Sequence, residues 1–118
     1  MLSKKQPMIR ILEHCLRRTP SRLIVGEVRG KEALSMLMAW NSGHGGGVCT
    51  IHSENSKMAL EQLEQYILQV SQTPQRKMIV NNIHLIVVVG KVNGKRKIIE
   101  IKRMLGLKGD EYILESLE

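Results

Sequence analysis

The feature that most constrains this chain is a pair of short apolar runs within residues 22–55, each ended by ionisable side chains. Leu23, Ile24 and Val25 are too few for a helix and rich in β-branching, which reads as a buried strand closed by Gly26. Glu27 and Arg29 follow at once. Val48, Cys49, Thr50 and Ile51 form a second buried run, and it delivers His52. Between the two, Ala33, Leu34, Leu37 and Met38 recur as the core side of a crossover helix, which Asn41, Ser42 and Gly43 stop. Two strands joined by one helix make a parallel crossover unit. Ligands of open α/β sheets lie beyond the carboxyl ends of strands, so Glu27 and His52 stand where such sheets do their chemistry. Position alone decides little, since a lone strand-end acid or histidine is usually an ordinary polar residue.

On the amino-terminal side, Ile9, Leu12, Cys15 and Leu16 predict an amphipathic helix over about residues 8–18, closed by a turn at Thr19, Pro20 and Ser21. After His52, Ser56 is a candidate cap for a helix striped by Ala59, Leu60, Leu63, Tyr66, Ile67 and Val70. Thr73 and Pro74 restart a short basic helix carrying Met78, Ile79 and Ile83. From Leu85 the period changes. A continuous apolar run over residues 85–89 is followed by Asn93-Gly94, the pair that favours a type I′ hairpin. Ile99 and Ile101 alternate with Glu100 and Lys102 on the return strand, which extends to Leu107. A further turn at Lys108, Gly109 and Asp110 leads to Tyr112, Ile113 and Leu114. The carboxyl end is therefore an antiparallel meander.

Composition narrows the partners without choosing one. The 118 residues carry a net charge of +7, which suits nucleic acid, an anionic membrane surface, a phosphate ligand or only solvent. Lys91, Lys95, Arg96, Lys97, Lys102 and Arg103 crowd the hairpin against one acid, Glu100; the plain reading is protection of a sheet edge by charge. No aromatic residues interleave with them for base stacking, so a DNA face there would be non-specific. Cys15 and Cys49 read as reduced packing residues rather than a disulfide or a metal clamp. No apolar run approaches the length of a membrane span.

The segment from Arg22 through Glu27 to Gly30 resembles the Walker B strand of the type II/type IV secretion ATPases. Gly43, His44, Gly45, Gly46 and Gly47, followed by Val48 to His52 and by Ser53, Glu54 and Asn55, resembles their histidine box. Trp40-Asn41-Ser42-Gly43-His44 and Val70-Ser71-Gln72-Thr73-Pro74 are similar to the conjugal-transfer ATPases of the TrbB type. The likeness covers nearly the whole chain. It departs from the family at two points: no G-x-x-x-x-G-K-[ST] phosphate loop is present in this sequence, and Ser21 stands where the family carries Asp.

The resemblance implies an α/β fold: part of a RecA-like P-loop NTPase sheet with crossover helices over residues 1–83, and the β-meander of the same domain over residues 84–118. It implies ATP and Mg²⁺ as ligands. Glu27, His52 and Arg29 take catalytic roles, Glu27 also approaches the metal, and His44, Gly45, Gly46 and Thr50 face the nucleotide. Arg29 either contacts a phosphate or only pairs with Glu27. The family forms hexameric rings at the cytoplasmic face of the inner membrane, powering conjugation or secretion with other secretion-system components. The expected function is that of the carboxyl-terminal portion of such a motor, located in the cytoplasm or peripherally on the inner membrane. Two further readings stand beside it: an inactive interaction module that self-associates through an exposed strand edge, and a basic, non-specific DNA binder.

Overall fold

The computed structural model describes residues 24–25, 27–43 and 47–117. The amino-terminal helix expected over residues 8–18, Arg22, Leu23 and Gly26, and the glycine-rich stretch of His44, Gly45 and Gly46 lie outside them. Strand β1 (Ile24–Val25) pairs in parallel with β2 (Val48–Cys49), with Ile24 opposite Val48 and Val25 opposite Cys49. Parallel neighbours need a crossover, and helix α1 (Glu32–Asn41) supplies it. Helices α2 (Ser56–Ile67) and α3 (Arg76–Asn82) follow. The antiparallel meander is β3 (Leu85–Val92), β4 (Lys95–Lys108) and β5 (Glu111–Ser116), with β4 in the middle.

The core lies between the helices and one face of the meander. Val28, Met36, Leu37, Trp40, Leu60, Leu63, Ile67 and Ile79 are buried together, and Ile86, Met104, Tyr112 and Leu114 pack onto them from the sheet. The buried face of α1 is Ala33, Met36, Leu37 and Trp40, the i, i+3, i+4, i+7 pattern of a helix stripe. The expected stripe through Met38 is wrong: Met38 is 54% exposed, because α2 and α3 pack on the other side of the helix, against Met36, Leu37 and Trp40. Leu34 packs at the margin of the core.

Helix α1 ends as its sequence directs. Gly43 takes a left-handed φ of +105°, and the Ser42 N–H donates to the Met38 carbonyl at 3.1 Å. Helix α2 is capped by Asn55 rather than Ser56: the Asn55 Oδ1 accepts from the Met58 N–H at 2.8 Å. The apolar stripe also stops at Ile67, and Val70 is exposed. In the hairpin, Asn93 and Gly94 have φ of 52° and 78°, both positive as a type I′ turn requires. Two bulges, at Ile99 and at Leu105, interrupt the ladders of β4. The first folds Ile99 over Gly90, where a Cβ would meet its Cδ1 at 2.0 Å.

The basic residues of the meander do not guard an edge as a group. Lys91 is on the edge strand β3, but Lys95, Arg96, Lys97, Lys102 and Arg103 are on the central strand. Replacing the cap, Asn55→Ala, removes one acceptor from the first turn of α2. Urea or thermal unfolding of that variant is expected to show a loss of about 1 kcal/mol, while Ser53→Ala, whose hydroxyl caps no helix, changes little.

Candidate functional site

The site begins with an alternation. Val28 points into the core at 1% exposure, while Glu27 and Arg29 on either side of it meet each other outside the core. The Val28 N–H donates to the Thr50 carbonyl at 2.8 Å, carrying the parallel pairing past Cys49. Glu27 and His52 thereby arrive side by side at the carboxyl ends of the two strands.

Glu27 is the hub. Its Oε1 lies 3.1 Å from the His52 Nε2, and its Oε2 accepts from the Arg29 Nε at 2.7 Å, with an Arg29 terminal nitrogen 2.5 Å away. The Glu27 side chain is 24% exposed, whereas the His52 and Arg29 side chains are 93% and 71% exposed. Of the two roles open to Arg29 in the sequence, pairing with Glu27 is the one the structure displays. Glu32, one turn on, accepts from the Arg29 and Gly30 N–H groups at 2.5 and 3.1 Å and anchors the backbone of the site against α1.

Thr50 is exposed, and its carbonyl rather than its hydroxyl does the pairing with Val28. His44, Gly45 and Gly46 lie outside the described residues. The run from Val48 to Ile51 is less buried than its sequence suggests: Val48 is 56% exposed, and only Cys49 and Ile51 pack at the core margin. The reason is that β2 has β1 as its one strand neighbour among the described residues. Burial still pushes the Cys49 thiol up to about 11, so it is an inert packing group.

Among the described residues no cluster of three or more candidate metal ligands occurs, but a nucleotide's Mg²⁺ keeps several waters and takes only one or two protein carboxylates beside the phosphates, and Glu27 is the carboxylate at this end of the two strands. The arrangement offers Arg29 and His52, both exposed, to an anion.

Two acids beyond the expected set shape this end of the fold. Glu100, on β4, reaches the start of α2. Its Oε1 accepts from the Ser56 N–H at 3.1 Å and from the Ser56 hydroxyl, and Ser56 is 3% exposed. The backbone leading away from His52 is thus clamped to the hairpin. Glu64 accepts from Arg76 through both oxygens at 3.1 and 3.2 Å and from the Tyr112 hydroxyl at 2.5 Å, while Arg76 also reaches Asp110 at 3.2 Å. Burial, with the bond to Glu64, pushes the Tyr112 phenol up. Glu64 adjoins the stripe of Leu60, Leu63 and Ile67, a charge beside an apolar face, which was the available sequence signal. For Glu100 the signal was its place as the single acid among the hairpin's cations.

An acid and a histidine thus meet beyond the ends of two parallel strands of an α/β fold, the place where open sheets as a class hold their ligands. Comparison with known proteins gives the family. Residues 3–102 match the model of the type II/IV secretion system proteins, and the chain belongs to that family. It is 39% identical over 109 residues to a probable conjugal transfer protein TrbB of Sinorhizobium fredii (strain NBRC 101917 / NGR234), covering 92% of this chain and 34% of the relative. It is 40% identical over 108 residues to the conjugal transfer protein TrbB of Rhizobium radiobacter, covering 92% of this chain and 33% of that one. The fold is that of the VirB11 ATPase from the Brucella suis type IV secretion system, crystallised in complex with sulphate: TM-score 0.73, 29% identity, 80% of this chain and 31% of the other covered. The chain spans about a third of the length of the curated relatives it matches.

The bond from Ser56 to Glu100 holds the Glu100 carboxyl below its ordinary value of 4.5. A carboxyl depressed on folding adds stability above its unfolded pKa and loses it as pH falls through the folded one. Stability is therefore expected to decline in acid, and Glu100→Gln to flatten that part of the profile. Denaturant midpoints between pH 7 and 3 check this; parallel curves for the two proteins would contradict it.

Proposed function

We propose that this chain supplies the acid- and histidine-bearing strand ends of the nucleotide site in a secretion or conjugation ATPase. One observation carries the reading: Glu27 meets His52 at the ends of two parallel strands, in a chain of the type II/IV secretion family. Glu27 acts as the acceptor that orients and polarises the attacking water. Arg29 and His52 are the groups offered to the terminal phosphate, and His44, Gly45, Gly46 and Thr50 belong to the surrounding nucleotide contacts. ATP is the substrate; Mg²⁺ arrives with it, and Glu27 orders the metal's water shell. The working state is a homo-oligomeric ring with other secretion-system components as partners, in the cytoplasm or on the inner membrane. Among the described residues no helix is long and apolar enough to cross a membrane.

Because phosphate binding needs a backbone cradle and its Lys, and the sequence holds no G-x-x-x-x-G-K-[ST], the chain by itself should bind Mg-ATP no tighter than millimolar in a calorimetric titration. A micromolar site that vanishes with Glu27→Gln would overturn this. In a chimera where this chain replaces the matched third of the Rhizobium radiobacter relative, Glu27→Gln should cut turnover about a hundredfold or more and leave nucleotide affinity nearly unchanged. Unaltered turnover would show that Glu27 does not act on the attacking water.

A second reading rests on the hairpin tip, where Lys91, Lys95, Arg96 and Lys97 are all exposed with no acid among residues 91–97. Such a cluster binds DNA through its phosphates alone. Affinity for a duplex should fall steeply from about 50 to 200 mM salt, roughly in proportion to the few contacts made, and should not distinguish sequences. Salt-insensitive or sequence-selective binding would count against it.

A further inference from the structure

His52 sits in a short connection, residues 51–55, between the paired strands and helix α2. At one end the Thr50 carbonyl accepts from the Val28 N–H at 2.8 Å. At the other end stands Ser56, the first residue of the helix. The His52 side chain is 93% exposed, and its Nε2 lies 3.1 Å from the Glu27 Oε1. A ring so exposed takes little direction from packing, so the backbone beneath it decides where it reaches. Two bonds shape the connection from within. The Ser53 hydroxyl donates to the Asn55 carbonyl at 3.3 Å, and the Asn55 Oδ1 accepts from the Met58 N–H at 2.8 Å. Both are local and travel with α2.

The bond at Ser56 is of another kind. Its N–H donates to the Glu100 Oε1 at 3.1 Å, its hydroxyl donates to the same oxygen, and Glu100 lies on β4, 44 residues away. The apolar packing of α2 begins only at Ala59 and Leu60, so Glu100 is what ties the first turn to another element. A buried serine needs partners wherever it lies, and Glu100 meets that need. The helix, however, already has its cap in Asn55, and Glu100 adds a second, distant hold on the same end. The other neighbour of Glu27 is braced likewise: Glu32 accepts from the Arg29 and Gly30 N–H groups at 2.5 and 3.1 Å. Each partner of Glu27 thus has an acid of its own behind it. Misplacing an active group by about 1 Å costs on the order of a hundredfold in rate, so holds of this kind have a use beyond stability.

We propose that Glu100 is a positioning residue of the site: by fixing Ser56 it holds the connection over residues 51–55 where His52 meets Glu27. The inference rests on the reading of His52 as a group offered to the terminal phosphate, and it names what aims that group. Glu100 touches neither nucleotide nor metal and acts through the backbone alone.

The test uses the full chain without nucleotide, so its result does not depend on the turnover experiment. The ring resonances of His52, identified with His52→Gln, are followed by nuclear magnetic resonance. In the wild-type chain Glu27→Gln should move them, which reports the contact. In a chain carrying Glu100→Met, which keeps the reach and removes the acceptor, the same Glu27→Gln change should lose most of its effect. Glu100→Gln keeps an acceptor oxygen in place and should preserve the response. Ser56→Ala removes one of the two bonds and should reduce it in part. Glu64→Ala opens the joint of the same helix with α3 and β5; it should lower the thermal midpoint and leave the response whole. Absence of the response in the wild-type chain, a response that survives both Glu100→Met and Ser56→Ala, or one that Glu64→Ala removes as fully would each overturn the proposal. Turnover of the chimera indifferent to Glu27→Gln would instead remove the catalytic reading and leave Glu100 as the residue that aims His52.

Discussion

The parallel pairing of β1 with β2, extended by the Val28 N–H on the Thr50 carbonyl, is the constraint on which the rest depends. Parallel strands cannot be joined by a tight turn, so the chain between them must leave the sheet, form a helix and return. That helix brings Met36, Leu37 and Trp40 against Val28, and the core assembles around this contact. The same pairing sets which residues emerge together. A slip of one residue would turn Val28 outward and send Glu27 inward. The meeting of Glu27 with His52 is therefore a product of register as much as of sequence.

Stability elsewhere comes from tying late elements to early ones. The meander contributes Ile86, Met104, Tyr112 and Leu114 to a core begun by the crossover unit. Polar links reinforce the same joints: Glu100 of β4 holds the start of α2, and Glu64 gathers Arg76 of α3 and Tyr112 of β5. Every donor and acceptor in these links matters, since a half-satisfied group in such a setting costs more than the bond contributes. Among the described residues no buried side-chain nitrogen or oxygen lacks a partner.

What could be read from the sequence was local. Asn93-Gly94 named its own turn, because the two positive φ values are a property of two adjacent residues. Gly43 named the end of α1 for the same reason. The strand-end positions of Glu27 and His52 followed from short apolar runs. What escaped reading depended on distant neighbours. Met38 and Trp40 are both apolar, and only the arrangement of α2 and α3 around α1 decides that Trp40 turns inward. Asn55 and Ser56 are both good caps, and Ser56 was claimed by Glu100, 44 residues away. The exposure of Val48 contradicts its apolar character because burial of a strand needs neighbours on both sides, which no property of Val48 itself encodes.

Glu27 divides its two oxygens between His52 and Arg29. Any anion that drew the guanidinium away would take one of these partners from the carboxylate, so arrival of a negative ligand and release of Glu27 would be a single exchange of partners at one side chain. The residue that would greet the anion is also the restraint on the residue that would act on it, and the resting pair is a latch that the ligand's own charge undoes.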